Sequence, residues 1–213
     1  MNQKELSKLF KENLITEVQY KEELFKLATT KKPKVKKKLA VTVSEEDFIK
    51  IIDNTKSPKH RLAFLLGWGS GLRISEIVGG TREEGDNIPA LTKEKINFET
   101  KSMRIEDAKG GKSRIAPVPK GFKTKHLAML PIKLTPRALQ IGFKNSCRKA
   151  GLLEARPNLH FHCLRSGFIS HSLKEGMPIH HVRDLVGHTN ISTTNIYAIG
   201  NTEDALKSYE DKF

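Results

Sequence analysis

Between Lys31 and Lys38 the chain reads Lys-Lys-Pro-Lys-Val-Lys-Lys-Lys, six lysines and one proline in eight residues. No core can bury such a run, because every ammonium would need a partner and the proline lacks a backbone donor. The segment therefore divides the chain in two. It predicts an N-terminal helix and Lys-rich arm over 1–38, and one folded body over 39–213. A body of 175 residues is one domain of ordinary size.

The charge surplus is not confined to that arm. Residues 1–38 carry net +6 and the remaining 175 carry net +8, within a total of +14. A body that stays basic without its arm points to a polyanionic partner, and nucleic acid is the first candidate. No apolar run approaches the ~20 residues needed to span a bilayer. The N-terminus, MNQKELSKLFKENL, has no apolar signal core. The expectation is a soluble, cytoplasmic protein with no membrane partner. The two cysteines, Cys147 and Cys163, have neither zinc-site spacing nor the density of a disulfide framework, and read as small core residues.

Hydrophobic periodicity predicts a mixed α/β fold, mostly helical, with a small antiparallel β-sheet of about three strands. Residues 3–29 read as one charged helix. Ser44-Glu45-Glu46-Asp47 is a helix start, with a capping hydroxyl and acids in the first turn. A nearly all-apolar helix follows over about 59–69 and ends at Gly69-Ser70-Gly71, and a short helix starts near Arg73. Residues 79–90 form a polar loop. Met103–Ile105 and Ile115–Val118 flank the turn Lys109-Gly110-Gly111-Lys112 as a hairpin, and 126–132 is the candidate third strand. Further helices are expected at 135–150, 162–175, 178–186, 192–198 and 203–211.

Four segments carry chemistry. In Gly71-Leu72-Arg73-Ile74-Ser75-Glu76, the carboxylate lies one helical turn beyond the arginine and can orient it. The hairpin Lys109-Gly110-Gly111-Lys112-Ser113-Arg114 offers three cations beside a tight turn. It is no P-loop, since position 106, where that motif needs glycine, is glutamate. In His160-Phe161-His162-Cys163-Leu164-Arg165, His162 and Arg165 share a helix face and can hold one anion. In Leu185-Val186-Gly187-His188-Thr189-Asn190-Ile191-Ser192-Thr193-Thr194-Asn195-Ile196-Tyr197, Ser192 can cap a helix that carries Tyr197. Taken singly, each segment also has an ordinary reading: a surface ion pair, a solvated loop, a core tyrosine. The chain has eight histidines but no HExxH pattern or paired cysteines, so no metal is expected.

Together the four segments resemble the catalytic motifs of the tyrosine recombinases, of the Xer and phage-integrase type, over roughly residues 41–200. The most specific part runs HxxR, then 22 residues between Arg165 and His188, then LxGH and STTxxY. The resemblance implies a tyrosine-recombinase catalytic-domain fold. It also implies a catalytic set of Arg73, Lys109, His162, Arg165, His188 and Tyr197, supported by Glu76. Tyr197 is then the nucleophile and Lys109, or Lys112 in a shifted register, the hairpin lysine. Lys34, Lys36, Lys37, Lys38, Lys112 and Arg114 are expected to contact DNA. Family members usually carry a helical core-binding domain ahead of the catalytic one. Here a helix and a lysine arm occupy that place, so an accessory DNA-binding protein is a conceivable partner.

These residue types suit cleavage of a phosphodiester without metal or other cofactor. Two guanidinium groups can fork onto the phosphate oxygens, and two imidazoles can donate to them. A phenol ionises in water only near pH 10, so the positive cluster must favour the attacking phenolate. A lysine can protonate the departing 5′ oxygen. The resemblance implies a 3′-phosphotyrosyl intermediate on double-stranded DNA, formed by a site-specific recombinase or integrase, with self-association into a dimer or tetramer synapse. Two other readings use the same residues: a topoisomerase-like relaxer, which would work as a monomer, and a DNA-binding remnant or regulator that does not recombine.

Overall fold

The computed structural model describes residues 3–29, 40–81, 85, 87–108, 112–188, 193, 194 and 197. The chain divides into two compact units, Met1–Lys38 and Leu39–Phe213.

The first unit holds two helices, α1 (Gln3–Lys11) and α2 (Glu17–Thr29), where the sequence pattern suggests one. The break has a local cause. Asn13 adopts a left-handed conformation with φ 55°, which ends α1. Thr16 and Gln19 then form a capping box: the Gln19 Oε1 accepts from the Thr16 N–H at 2.9 Å, and the Thr16 hydroxyl accepts from the Gln19 N–H at 3.3 Å. Tyr20 on α2 stacks on Phe10 and bonds to Ser7, closing the pair.

The second unit is mostly helical. Its opening helix α3 (Glu45–Asp53) is capped by Ser44, whose hydroxyl accepts from the Asp47 N–H. Next, α4 (Pro58–Ser70) starts with Ser57 as cap and proline in its first turn, and stops at Gly71. Gly71 has φ 65°, and a Cβ there would lie 2.6 Å from the Phe168 ring, so only glycine fits. The short helix α5 (Ile74–Val78) follows directly. Within the expected loop 79–90, β1 (Gly80–Thr81) and β2 (Asn87–Ile88) pair antiparallel.

The main sheet is antiparallel, in the order β3 (Ile96–Asn97), β4 (Ser102–Ala108), β5 (Lys112–Pro117). The expected hairpin is β4–β5. The third strand is Ile96–Asn97 and not 126–132, which corrects the sequence reading. Residues Thr124–Met129 form a 3₁₀ helix, capped by the His126 ring accepting from the Lys123 N–H. Pro131 beyond it has no N–H to give a ladder.

Three further helices follow: α6 (Pro136–Lys149), capped by Thr135, α7 (His162–Lys174) and α8 (Ile179–Val186). Phe64, Phe143 and Phe161 meet edge-on where α4, α6 and the entry to α7 converge. Helix α7 is buried along Cys163–Ile169 on every side, as befits a central helix. Cys147 and Cys163 are buried free thiols in this core, and burial pushes Cys147 up to about 12. Thr193, Thr194 and Tyr197 are helical, while the helix expected at 203–211 lies outside the described residues. No helix among the described residues is long and apolar enough to cross a membrane.

Candidate active site

The site forms where the C-terminal ends of α4 and α8 meet the first turns of α7. Arg165, on α7, is 1% exposed. Its guanidinium donates to the carbonyl of Gly71 at 2.6 Å and to that of Val186 at 2.5 Å. These carbonyls lie at the ends of α4 and α8, where helical geometry leaves acceptors without partners and the macrodipole is negative. One buried cation thus satisfies two helix ends. Burial and the neighbouring Arg73 lower its pKa to about 9, so it stays charged at neutral pH.

Arg73 is the residue that opens α5, immediately past the Gly71 turn. Its backbone N–H donates to one Glu76 oxygen at 2.7 Å and its guanidinium to the other at 2.9 Å. Glu76 is 4% exposed and carries a second arginine. Arg114, on β5, donates from both terminal nitrogens to the two Glu76 oxygens, at 2.9 and 3.0 Å. Burial opposes the Glu76 charge, but Arg114 and then Arg73 outweigh it and hold the carboxyl below its ordinary value. The remaining Arg114 donor, Nε, reaches the Leu185 carbonyl at 2.8 Å.

His162 opens α7 with its side chain exposed, and His188 follows Gly187 at the end of α8, half-buried. Desolvation and then Arg165 push both imidazoles down to about 4, with His160 and Arg73 adding to the effect on His162, and Arg73 and His162 to that on His188. His188 Nδ1 lies 3.0 Å from the Thr194 hydroxyl. Tyr197 packs against Phe168, Ile169, Val182 and Val186, and its hydroxyl lies 3.0 Å from Ser166 Oγ.

The structure therefore gathers Arg73, Glu76, His162, Arg165, His188 and Tyr197, drawn from three distant stretches of sequence, into one electrostatic neighbourhood. Lys109 and the arm residues Lys34, Lys36, Lys37 and Lys38 lie outside the described residues, and Lys112 opens β5. Arg114, expected to reach DNA, is instead committed inward, with its side chain 7% exposed. The signal for this lies in the strand's alternation. Arg114 pairs with buried Ile105 and shares its face with buried Ala116, while Ile115 between them is 54% exposed. Ser166, which bonds to Tyr197, is a residue that the motifs do not single out. Among the described residues, no group of three or more His, Cys, Asp or Glu side chains could hold a metal.

A model of the phage integrase family matches residues 122–203. The tyrosine recombinase XerA of Thermococcus onnurineus is 31% identical over 211 residues, covering 90% of this chain and 68% of that protein. The chain belongs to the phage integrase family of tyrosine recombinases. XerA of Pyrococcus horikoshii is 29% identical over 198 residues, and here the chain covers 64% of the relative's length. Against XerA of Pyrococcus furiosus and XerC of Pseudomonas aeruginosa the share falls to 59% and 57%, so the chain spans roughly three fifths of several recombinases that it matches. The fold agrees with solved members. A crystal structure of XerA recombinase superposes with a TM-score of 0.63 at 18% identity, over 85% of this chain and 67% of that one. The catalytic domain of bacteriophage HP1 integrase superposes at 0.55 with 22% identity, over 80% of this chain and 95% of that domain.

Proposed function

We propose that this family member is a site-specific DNA recombinase or integrase that cleaves and rejoins DNA through a 3′-phosphotyrosyl intermediate. The observation that carries the reading is the convergence of a buried arginine, a second, carboxylate-braced arginine and two histidines at the ends of α7 and α8, with a tyrosine hydroxyl bonded to Ser166, the residue after the buried arginine.

Arg73 and Arg165 hold the non-bridging oxygens of the scissile phosphate, and their fixed charge stabilises the phosphorane as it forms. His162 and His188 donate to the same oxygens. His188 already engages Thr194 through Nδ1, which leaves Nε2 for the phosphate. The Tyr197 oxygen attacks phosphorus as its proton passes to a neutral imidazole. The bond to the 5′ oxygen breaks, and Lys109 supplies the proton that oxygen needs. The phosphotyrosine ester conserves the bond energy, so reversal by a 5′ hydroxyl needs no cofactor.

The substrate in this reading is double-stranded DNA, which implies a cytoplasmic site of action. Support comes from structures of similar proteins: XerH was solved on its difH substrate, and lambda integrase as a dimer on a COC′ core site. Self-association on DNA, as dimer or tetramer, follows by the same analogy. Residues 39–213 act as the catalytic domain. Residues 1–38 act as an arm whose Lys34, Lys36, Lys37 and Lys38 meet the DNA backbone along with Lys112. The test is incubation with a pool of nicked duplexes of randomised sequence. Wild type should trap DNA covalently and Tyr197→Phe should bind without trapping. Equal trapping by both, or none by wild type, overturns the reading.

A further inference from the structure

Gly187 terminates α8 with φ 68°. A left-handed turn explains a glycine there, but the space around it has a second use. A Cβ on Gly187 would lie 2.7 Å from Arg114 Cδ and 3.2 Å from its Nε. The arginine stem passes directly over the glycine on its way to Glu76. All three of its donor nitrogens find acceptors on two other elements: Nε on the Leu185 carbonyl of α8, and the terminal pair on the Glu76 carboxylate of α5.

Two consecutive carbonyls at the end of α8, those of Leu185 and Val186, are thereby held by two different arginines, Arg114 and Arg165. His188 follows only two residues later. On the other side, the Glu76 oxygens that Arg114 grips are the same two that brace Arg73. With all three of its nitrogens bonded inside the fold, two of them to the Glu76 carboxylate that offsets its charge, the Arg114 guanidinium is committed to this brace and not to DNA. It is well built to fix the distance between the Arg73 corner and the His188 corner, because its planar fork permits one orientation.

We infer that Arg114 is a positioning residue for strand cleavage, locking Glu76 and hence Arg73 to the end of α8 from which His188 projects. The inference rests on the strand-cleavage reading. It assigns Arg114 to phosphate-pocket geometry and not to DNA affinity, and it gives the glycine of the LxGH motif a reason: the arginine needs the room.

The experiment uses the full chain and the nicked duplex recovered by covalent capture on wild type. Single-turnover adduct formation is followed at saturating DNA for wild type, Arg114→Lys, Arg114→Gln and the double variant Glu76→Gln/Arg114→Gln, with DNA affinity measured separately. Displacement of a phosphate ligand by about 1 Å costs on the order of a hundredfold in rate, and Arg114→Gln should lose about that much with little change in affinity. Arg114→Lys restores charge without the fork and should recover part of the rate. In Arg114→Gln the buried Glu76 keeps only Arg73, its carboxyl rises, and the acid limb of the rate profile moves to higher pH. The double variant removes the under-compensated buried charge, so it should fold even if Arg114→Gln does not, and it should still cleave slowly. Wild-type cleavage by Arg114→Gln, full recovery in the double variant, or a loss of affinity with an unchanged rate at saturation would overturn the inference while leaving the strand-cleavage reading intact. Absence of any adduct with wild type would remove that reading and this one with it.

Discussion

The Tyr197 hydroxyl lies 3.0 Å from Ser166 Oγ, and Ser166 is the residue after Arg165 on α7. The proposed nucleophile is thus tethered to the same helical turn that holds the most buried cation of the site. Losing one neutral hydrogen bond is worth about 1 kcal/mol. Ser166→Ala should slow single-turnover adduct formation by up to about tenfold while leaving DNA affinity unchanged. An unaltered rate would show that the tether does not orient the phenol.

Arg165 has a structural role that separates it from a surface phosphate ligand. Lysine cannot span the Gly71 and Val186 carbonyls, which the guanidinium bridges. Hydrogen bonds from charged donors contribute about 1.5–3 kcal/mol each, so Arg165→Lys should lose at least one such increment in denaturant melts. Arg165→Ala should lose more, because both buried carbonyls are left without donors. Both variants should be severely impaired in covalent capture. A Lys variant with wild-type stability would contradict the bridging role.

Acidification should weaken the fold in a defined window. His162 and His188 ionise near 4 when folded, against an ordinary 6.5. The unfolded chain therefore binds protons first as the pH drops, and stability is lost progressively from about 6.5 down to about 4. Glu76, with its depressed carboxyl, adds a further loss below its ordinary 4.5. Melting temperature measured across this range should fall less steeply in a His162→Asn/His188→Asn variant. A bound phosphodiester raises both imidazole values, so DNA binding should take up protons in the same window, readable as tighter binding on mild acidification. Parallel melting profiles for wild type and the double variant would contradict the account.

Hydrogen-bonded pairs close in sequence are legible without coordinates, and pairs made by the tertiary fold are not. The Arg73–Glu76 contact follows from three-residue helical spacing, and the same rule sets His162 and Arg165 on one turn. The break between α1 and α2 is also written locally, in the Thr16–Gln19 capping box, although the apolar stripe across it reads as continuous. The strand Ile96–Asn97 has two residues, too few for alternation to register. Arg114 and Ser166 depend on contacts 38, 71 and 31 residues away, which no local pattern encodes. The inward turn of Arg114 leaves only an indirect trace, its place in the strand alternation on the face of Ile105 and Ala116 while Ile115 faces solvent.

The lysine arm should behave unlike the pocket. Its expected contacts are with backbone phosphates, and each neutralised phosphate adds about 0.9 to the salt slope of duplex binding. Replacing Lys36, Lys37 and Lys38 by Ala should weaken binding to all sequences alike and flatten that slope by about two to three. Altered sequence preference at an unchanged slope would contradict a backbone clamp.

The central claim concerns one oxygen atom. The chain contains three tyrosines, Tyr20, Tyr197 and Tyr209. Covalently trapped protein, digested with nuclease and protease and mapped by mass, should carry a 3′-linked nucleotide on the peptide containing Tyr197, with a free 5′ hydroxyl on the released strand. A nucleotide on Tyr20, on Tyr209 or on any other side chain, or attached through a 5′ phosphate, would contradict it.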